Sequence, residues 1–193
     1  CYLVFTSSTI VYGYADNHFN ISEDEPLIAM SPYGKQKIET EKLIANENDR
    51  YLILRINAPY GKNIFDKTVL TIFIELALLG KTLQYHGSGN RMQDFTNVDD
   101  IANLLYSLLK GNNYKNGIFN ISYGNPISMR DLAELIVNLT ESKSNIEPSG
   151  LEDKQENYKA SYSTEKAKNI LGWNPKISLD IGIMELINNL RKC

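Results

Sequence analysis

The sequence predicts an α/β fold in which helices cover a parallel sheet. An unbroken apolar run, Tyr2 to Phe5, is typical of a strand that is buried on both faces. A second such run, Tyr51 to Ile56, follows after a long connection that carries a helical pattern from Tyr33 to about Asn48. Strand, helix and strand in this order form the unit that builds parallel sheets, so we expect a right-handed crossover between the two strands.

The middle of the chain is predicted to hold two helices and a short strand. Residues Thr68 to Leu79 are apolar nearly all round and stop at Gly80, which predicts a helix that is buried on most sides. A short strand is expected at Leu83 to Tyr85. From Asp99 to about Lys110, an i, i+3, i+4, i+7 spacing predicts an amphipathic helix, with apolar residues at Ile101, Leu104, Leu105 and Leu108.

The last part of the chain alternates between apolar and polar segments. A third substantial strand is predicted at Ile118 to Ser122, and helices are predicted from Ser128 onward, over about Ser163 to Leu171, and from Ser178 to about Leu190. The polar stretches Asp16 to Pro32 and Thr140 to Asn157 are predicted to be loops.

Composition excludes several classes of protein. The chain has 193 residues, of which 42% are hydrophobic and 22% charged, as in a globular protein with a core. The 20 basic and 23 acidic residues give a net charge of -3 without blocks of either sign, so no nucleic acid or membrane partner is expected. The longest apolar run, Val69 to Leu79, is shorter than the roughly 20 residues that span a bilayer. We expect a soluble cytoplasmic protein that binds a small molecule.

Cysteine and histidine give no metal or disulfide signal. The two cysteines, Cys1 and Cys193, are too few for a disulfide framework, and no Cys/His spacing typical of a metal site occurs. His18 and His86 lie in loop-like stretches and are assigned no role. We therefore predict no metal ligands and a reducing compartment.

A Tyr-x-x-x-Lys pair is the main candidate for chemistry. The pattern occurs three times, beginning at Tyr33, Tyr106 and Tyr162. Tyr106 lies in a leucine-rich helix and Tyr162 in a polar segment, so packing or surface roles are expected for both. Tyr33 and Lys37 lie in the first turns of a helix, and the preceding strand ends with the hydroxyls of Ser7 and Ser8, at the sheet edge where parallel sheets bind ligands.

These residue types together suit oxidation of an alcohol. A serine hydroxyl can donate a hydrogen bond to the substrate oxygen, a tyrosine can take its proton, and a lysine can stabilise the resulting phenolate. Hydride would leave the same carbon atom.

At these residues the sequence resembles the NAD-dependent epimerase/dehydratase family, the extended short-chain dehydrogenase/reductases. Five segments in the family's order carry the resemblance: Ser7–Gly13, Ser31–Lys37, Arg55–Gly61, Gln93–Ala102 and Leu171–Lys176. The resemblance implies that Ser8, Tyr33 and Lys37 are catalytic. It also implies an NAD or NADP cofactor, which Ser7, Tyr33, Lys37 and Pro59 would contact.

The resemblance implies a sugar substrate, nucleotide-linked in the family, with Ser8, Asn57, Arg91 and Gln93 as substrate-binding residues. Family members usually carry Asn and Arg near the substrate diphosphate where this chain has Ala58 and Gln93. Asn57 and Arg91 could compensate, or the substrate could be a sugar without a nucleotide. Tyr12 is expected in the wall of the cleft, and Trp173 in packing.

The fold that the resemblance implies is part of a Rossmann-type parallel sheet, with the later strands only, plus a smaller mixed α/β C-terminal substrate-binding region. The expected division is residues 1–61 and 62–193, with segments near 94–122 returning to the Rossmann-type domain. The family's Gly-rich loop for the cofactor pyrophosphate does not occur in this sequence. We therefore expect a piece of a longer protein that is inactive by itself. The resemblance also implies a homodimer for the full-length form.

Epimerase or reductase chemistry is favoured over dehydration. Sugar dehydratases of the family place Asp-Glu directly after the catalytic Ser or Thr, to eliminate water, whereas this chain has Thr9-Ile10. Two alternatives stay open at this point. One is a non-catalytic binding or scaffold module that retains the fold, and the other is a sugar dehydratase.

Overall fold

The computed structural model of the protein describes residues 2–13, 18–62, 67–111 and 115–191. Cys1 and Cys193 lie outside the described residues. The helices are α1 (Pro32–Glu47), α2 (Val69–Leu78), α3 (Val98–Lys110), α4 (Met129–Thr140), α5 (Glu165–Leu171) and α6 (Leu179–Leu190), with a 3-10 turn at Thr9–Tyr12. The longer strands are β1 (Leu3–Ser8), β2 (His18–Ile21), β3 (Tyr51–Ile56) and β8 (Gly117–Ile121). The shorter strands are β4 (Pro59–Tyr60), β5 (Leu83–Tyr85), β6 (Met92–Gln93), β7 (Thr96–Asn97), β9 (Ile127–Ser128), β10 (Ile146–Pro148) and β11 (Ala160–Tyr162).

A three-stranded parallel sheet of order β1-β3-β8 confirms the predicted α/β fold. Leu3 is opposite Tyr51 in the β1–β3 pair, and Leu52 is opposite Gly117 in the β3–β8 pair. The central strand β3 is buried from Leu52 to Ile56. Its near-continuous apolar sequence is what a strand covered on both faces requires.

Local sequence explains where α1 begins. Ser31 is the N-cap, and its Oγ accepts a hydrogen bond from Gly34 N at 3.0 Å. Pro32 occupies the first turn, where a backbone N–H is not needed. This start places Tyr33 at the carboxyl-terminal edge of the sheet.

A second core lies among α2, α4 and α6. Its fully buried side chains include Leu70, Ile74, Leu132, Ile136 and Ile183. The predicted inward positions of α6 are confirmed at Ile183, Leu186 and Ile187, whereas Leu190 is exposed. Trp173 is buried in the core beside the main sheet, as predicted.

Two segments predicted as loops contain strands. His18–Ile21 forms β2, which pairs with β11, and Ile146–Pro148 forms β10, which pairs with β5. Both pairings are parallel and join positions more than 60 residues apart in the sequence. Among the described residues, no helix is long and apolar enough to cross a membrane.

Candidate active site

Ser8 lies at the carboxyl end of β1 and caps the 3-10 turn that follows. Its Oγ accepts a hydrogen bond from Ile10 N at 3.3 Å. Because the backbone supplies this donor, the hydroxyl proton of Ser8 is left to donate to a ligand.

Tyr33 and Lys37 lie one turn apart on α1, beside β1. Lys37 Nζ donates to the Thr6 carbonyl oxygen at 2.8 Å and lies 4.6 Å from the centroid of the Phe5 ring. The same ammonium is 5.4 Å from the centroid of the Tyr33 ring. Tyr33 is 52% exposed, so its phenol is accessible. The accessible phenol of Tyr33 therefore lies beside the ammonium group of Lys37, which the Thr6 carbonyl oxygen holds in place.

An open cleft of about 390 Å³ joins these residues. It is lined by the predicted residues Ser7, Ser8, Tyr33, Lys37 and Pro59, and by Thr6, Ile56, Val98, Ile101, Ala102 and Leu105. One wall therefore carries hydroxyls and an ammonium, and the other is apolar. A flat, mostly apolar ring with a polyhydroxyl attachment suits such a cleft.

The Ser7 hydroxyl is engaged behind the cleft. Ser7 Oγ donates to Glu41 Oε1 at 2.5 Å, and Glu41 forms an ion pair with Arg55 at 2.7 Å. Both charged side chains are 2% exposed. Since Glu41 lies about two turns after Tyr33 and one turn after Lys37 on α1, this buried pair ties the helix to β1 and β3.

Tyr12 belongs to this buried network. It is 5% exposed, its OH donates to Asn120 Oδ1 at 2.6 Å, and Arg55 Nη1 donates to it at 2.8 Å. Burial raises the pKa of Tyr12 to about 12, against the lowering effect of Arg55. The prediction that Tyr12 lies in the cleft wall is wrong, because its phenol is bonded into the core.

A second cavity of about 200 Å³ adjoins the cleft at Ser8, which lines both. It also contains Asn57, Gln93 and Tyr158. The Asn57 side chain is 3% exposed and has two internal partners: it accepts from Thr9 Oγ1 and donates to the Asp94 carbonyl oxygen, both at 3.0 Å. Ser8 is therefore the point where the two cavities meet.

Arg91 lines a third cavity, of about 350 Å³, with Phe73, Tyr85, Met129 and Asp153. Gln155 lines both this cavity and the second one. The structure thus places Ser8, Asn57 and Gln93 around one cavity and Arg91 around the next, and we call these two cavities together the groove. Arg91 Nε donates to Asp153 Oδ2 at 2.8 Å.

The sequence assigns no role to Tyr158 or Asp94, although Asp94 lies in the Gln93–Ala102 segment that carries the family resemblance. The Tyr158 and Tyr162 hydroxyls are 2.6 Å apart, and burial raises the pKa of both phenols. Burial also raises the pKa of Asp94, whose Oδ2 accepts from Ser122 Oγ and Gly124 N. Tyr158 lies in a polar segment without periodicity, so no sequence signal marked it.

The other two Tyr-x-x-x-Lys pairs lie apart from the cleft lining. Tyr106 is 64% exposed, with Lys110 Nζ 5.6 Å from its ring centroid, and Tyr162 packs against Tyr12 at 5.7 Å between ring centroids. Within the described ranges, no three His, Cys, Asp or Glu side chains are grouped to hold a metal ion.

Comparison with known proteins gives a consistent family. The sequence profile of the NAD dependent epimerase/dehydratase family matches residues 2–122. The chain is 31% identical to dTDP-4-dehydro-6-deoxyglucose reductase from Escherichia coli, over 98% of this chain and 61% of that protein. It spans about three fifths of the length of this relative.

Two solved structures are similar to the described fold. One is UDP-glucose 4-epimerase from Thermotoga maritima with UDP-glucose, with 29% identity, a TM-score of 0.86, and coverage of 98% of this chain and 63% of that chain. The other is MoeE5 in complex with UDP-glucuronic acid and NAD, with 25% identity, a TM-score of 0.85, and coverage of 99% and 65%. The predicted family and the α/β fold are confirmed.

Proposed function

This chain belongs to the NAD dependent epimerase/dehydratase family, and we propose that it carries the catalytic residues of an NAD(P)-dependent nucleotide-sugar epimerase or reductase. The observation that carries the proposal is the position of Ser8, which lines both the Tyr33–Lys37 cleft and the adjoining cavity. A substrate carbinol at this junction would lie between the hydroxyl donor and the phenol.

The lining of the cleft fits the nicotinamide end of NAD or NADP. Ile56, Val98 and Ile101 offer an apolar wall to a flat ring, and Lys37 offers an ammonium to the ribose hydroxyls. Pro59 and the strand end at Ser7 and Ser8 complete the lining. When bound there, the cofactor supplies a hydride acceptor. Similarity to a protein solved with NAD supports this assignment.

The chain's own residues would manage the proton. Ser8 donates a hydrogen bond to the carbinol oxygen, and the phenolate oxygen of Tyr33 takes the carbinol proton as the carbonyl forms. The ammonium of Lys37 stabilises the phenolate, because it is held beside the Tyr33 ring by the Thr6 carbonyl. On return to the alcohol, Tyr33 gives the proton back to the same oxygen.

Epimerase or reductase chemistry is favoured over dehydration by the two residues after Ser8. Elimination of water needs an acid and a base there, but the Thr9 hydroxyl donates to Asn57 inside the protein and Ile10 has no ionisable group. Epimerisation and reduction need only the hydroxyl donor, the phenol and the lysine. The similar reductase and epimerase named above support both reactions.

We propose that the chain divides into two functional parts, residues 1–61 and residues 62–193. The first part would hold the cofactor and the catalytic residues, and the second would bind the substrate, with segments near 94–122 returning to the first. Pairing of β8 with β3 supports that return.

Replacing Tyr33 with Phe tests the function. In the protein that carries this chain, Y33F should lower kcat by about a hundredfold or more, the usual share of general acid/base catalysis, with little change in dinucleotide affinity. Y106F is the matched control, because Tyr106 also precedes a lysine by four residues but lies on the surface. Equal losses in both variants, or no loss in Y33F, would overturn the proposal.

A further inference from the structure

Arg91 and Asp153 form an ion pair in the wall of the groove. Arg91 Nε and Asp153 Oδ2 are 2.8 Å apart, and the two side chains are 20% and 12% exposed. Both residues line the third cavity. The pair is therefore partly shielded from water, where a charge has more effect than on an open surface.

The fold holds both partners in place. Asp153 Oδ1 accepts from Gln155 N at 2.9 Å, and the Asp153 carbonyl oxygen accepts from Glu156 N at 3.0 Å, so a turn fixes the carboxylate. The Arg91 carbonyl oxygen accepts from Met129 N at 3.0 Å. These contacts make the ion pair part of the groove wall.

The pair supplies the Arg and Asp charges of the groove, and His86 is a further residue in the lining of the third cavity. Among the described residues that line the second and third cavities, Arg91 is the only Lys or Arg, and Asp153 is the only Asp or Glu. The remaining polar lining includes the amides of Gln84, Gln93 and Gln155. The bond to Asp153 uses Nε and leaves Nη1 and Nη2 as donors for a ligand.

We propose that Asp153 is a specificity-determining residue that lowers the affinity of the groove for phosphate-bearing ligands by holding Arg91 and offsetting its charge. Selection of the substrate then depends more on hydroxyl and amide contacts, and less on phosphate charge. This inference rests on the proposed function, since it concerns the substrate side of the same groove. It assigns a distinct role to a residue outside the Ser8, Tyr33 and Lys37 set.

The test is a calorimetric titration of the protein that carries this chain with UDP-glucose and with uridine. D153N should tighten UDP-glucose binding by about three- to tenfold, as expected for loss of one partly exposed like charge, and should leave uridine binding unchanged. D153E keeps the charge and should keep the original affinity. E152Q is the matched control, because Glu152 is an exposed neighbour.

A double-mutant cycle separates action through Arg91 from direct repulsion of the ligand. In the R91Q background, D153N should give less than a third of its gain, because the released cation is missing. An equal gain in both backgrounds would overturn the proposal, as would unchanged or weaker UDP-glucose binding in D153N. Failure of the proposed function would instead appear as unaltered turnover in Y33F, whatever the outcome of this cycle.

Discussion

Asp94 is a buried carboxylate that follows Gln93, a lining residue of the second cavity. Its side chain is 1% exposed, and its Oδ1 has no hydrogen-bond partner among the described residues. Burial raises the pKa of Asp94 above its ordinary value, although hydrogen bonds from Ser122 and Gly124 lower it. The Asp94 carboxyl group therefore binds its proton more tightly in the native state than in the unfolded state. The contribution of Asp94 to stability is lost as pH rises through the raised pKa.

Replacing Asp94 with Asn should remove this loss. As pH rises from the ordinary pKa of Asp through the raised value, the free energy of unfolding of D94N should increase relative to the original protein, and then stay level. Urea denaturation at a series of pH values measures the difference. D24N, a change at an exposed carboxylate, is the control. A difference independent of pH in D94N would contradict the assigned direction of the pKa shift.

The candidate catalytic residues could be predicted from local sequence, whereas most of their partners could not. The positions of Ser8 at a strand end and of Tyr33 at a helix start can be predicted, because strand ends and helix starts are local features of the sequence. The Ser7 hydroxyl is expected to meet the cofactor, but its structural partner is Glu41, 34 residues further along the chain. Tyr12 is bonded to Asn120, 108 residues away. Such partners depend on the tertiary fold, which no local pattern encodes.

Helix α1 is fixed to the sheet by the buried Glu41–Arg55 pair. Arg55 donates to both carboxylate oxygens of Glu41, with Nη2 to Oε2 at 2.7 Å. E41Q would leave the guanidinium without its counter-charge in a site that is 2% exposed. We expect a loss of about 3–5 kcal/mol in the free energy of unfolding, as for other buried pairs broken on one side.

Denaturant unfolding of E41Q and E39Q gives the comparison. Glu39 lies on the same helix but is exposed, with only a 4.0 Å contact to Lys35, so its change should stay within about 0.5 kcal/mol. Similar losses in the two variants would show that the buried pair does not anchor α1.

Elements with strong periodicity are predicted well, whereas short paired strands are predicted only in part: the strand Leu83–Tyr85 is confirmed as β5, but β2 and β10 are missed. The prediction of a helix over Thr68–Leu79 corresponds to α2 at Val69–Leu78, and the strand Tyr51–Ile56 is confirmed as β3. Strands β2 and β10 were predicted as loops, because their sequences are polar. Each forms only because a distant strand, β11 or β5, provides a partner.

Strand β3 lies between β1 and β8, so both of its edges are paired. The sequence predicted the strand–helix–strand unit of β1, α1 and β3, since these are consecutive elements. The small pairings outside the main sheet depend on distant segments meeting, which a single sequence does not show.

Strand β1 is an edge of this sheet within the described residues. Its Leu3 is 37% exposed, which adds apolar surface to unpaired backbone groups. Open edges of this kind pair with other chains, and a lysine on the edge opposes such pairing. We therefore predict that the 193-residue polypeptide associates with itself in solution, and that L3K weakens this association. Sedimentation velocity over a range of concentrations measures it. L109K, at a leucine of α3 that is 57% exposed, is the matched control, and weakening of association by L109K but not by L3K would place the contact on a helix surface rather than on the β1 edge.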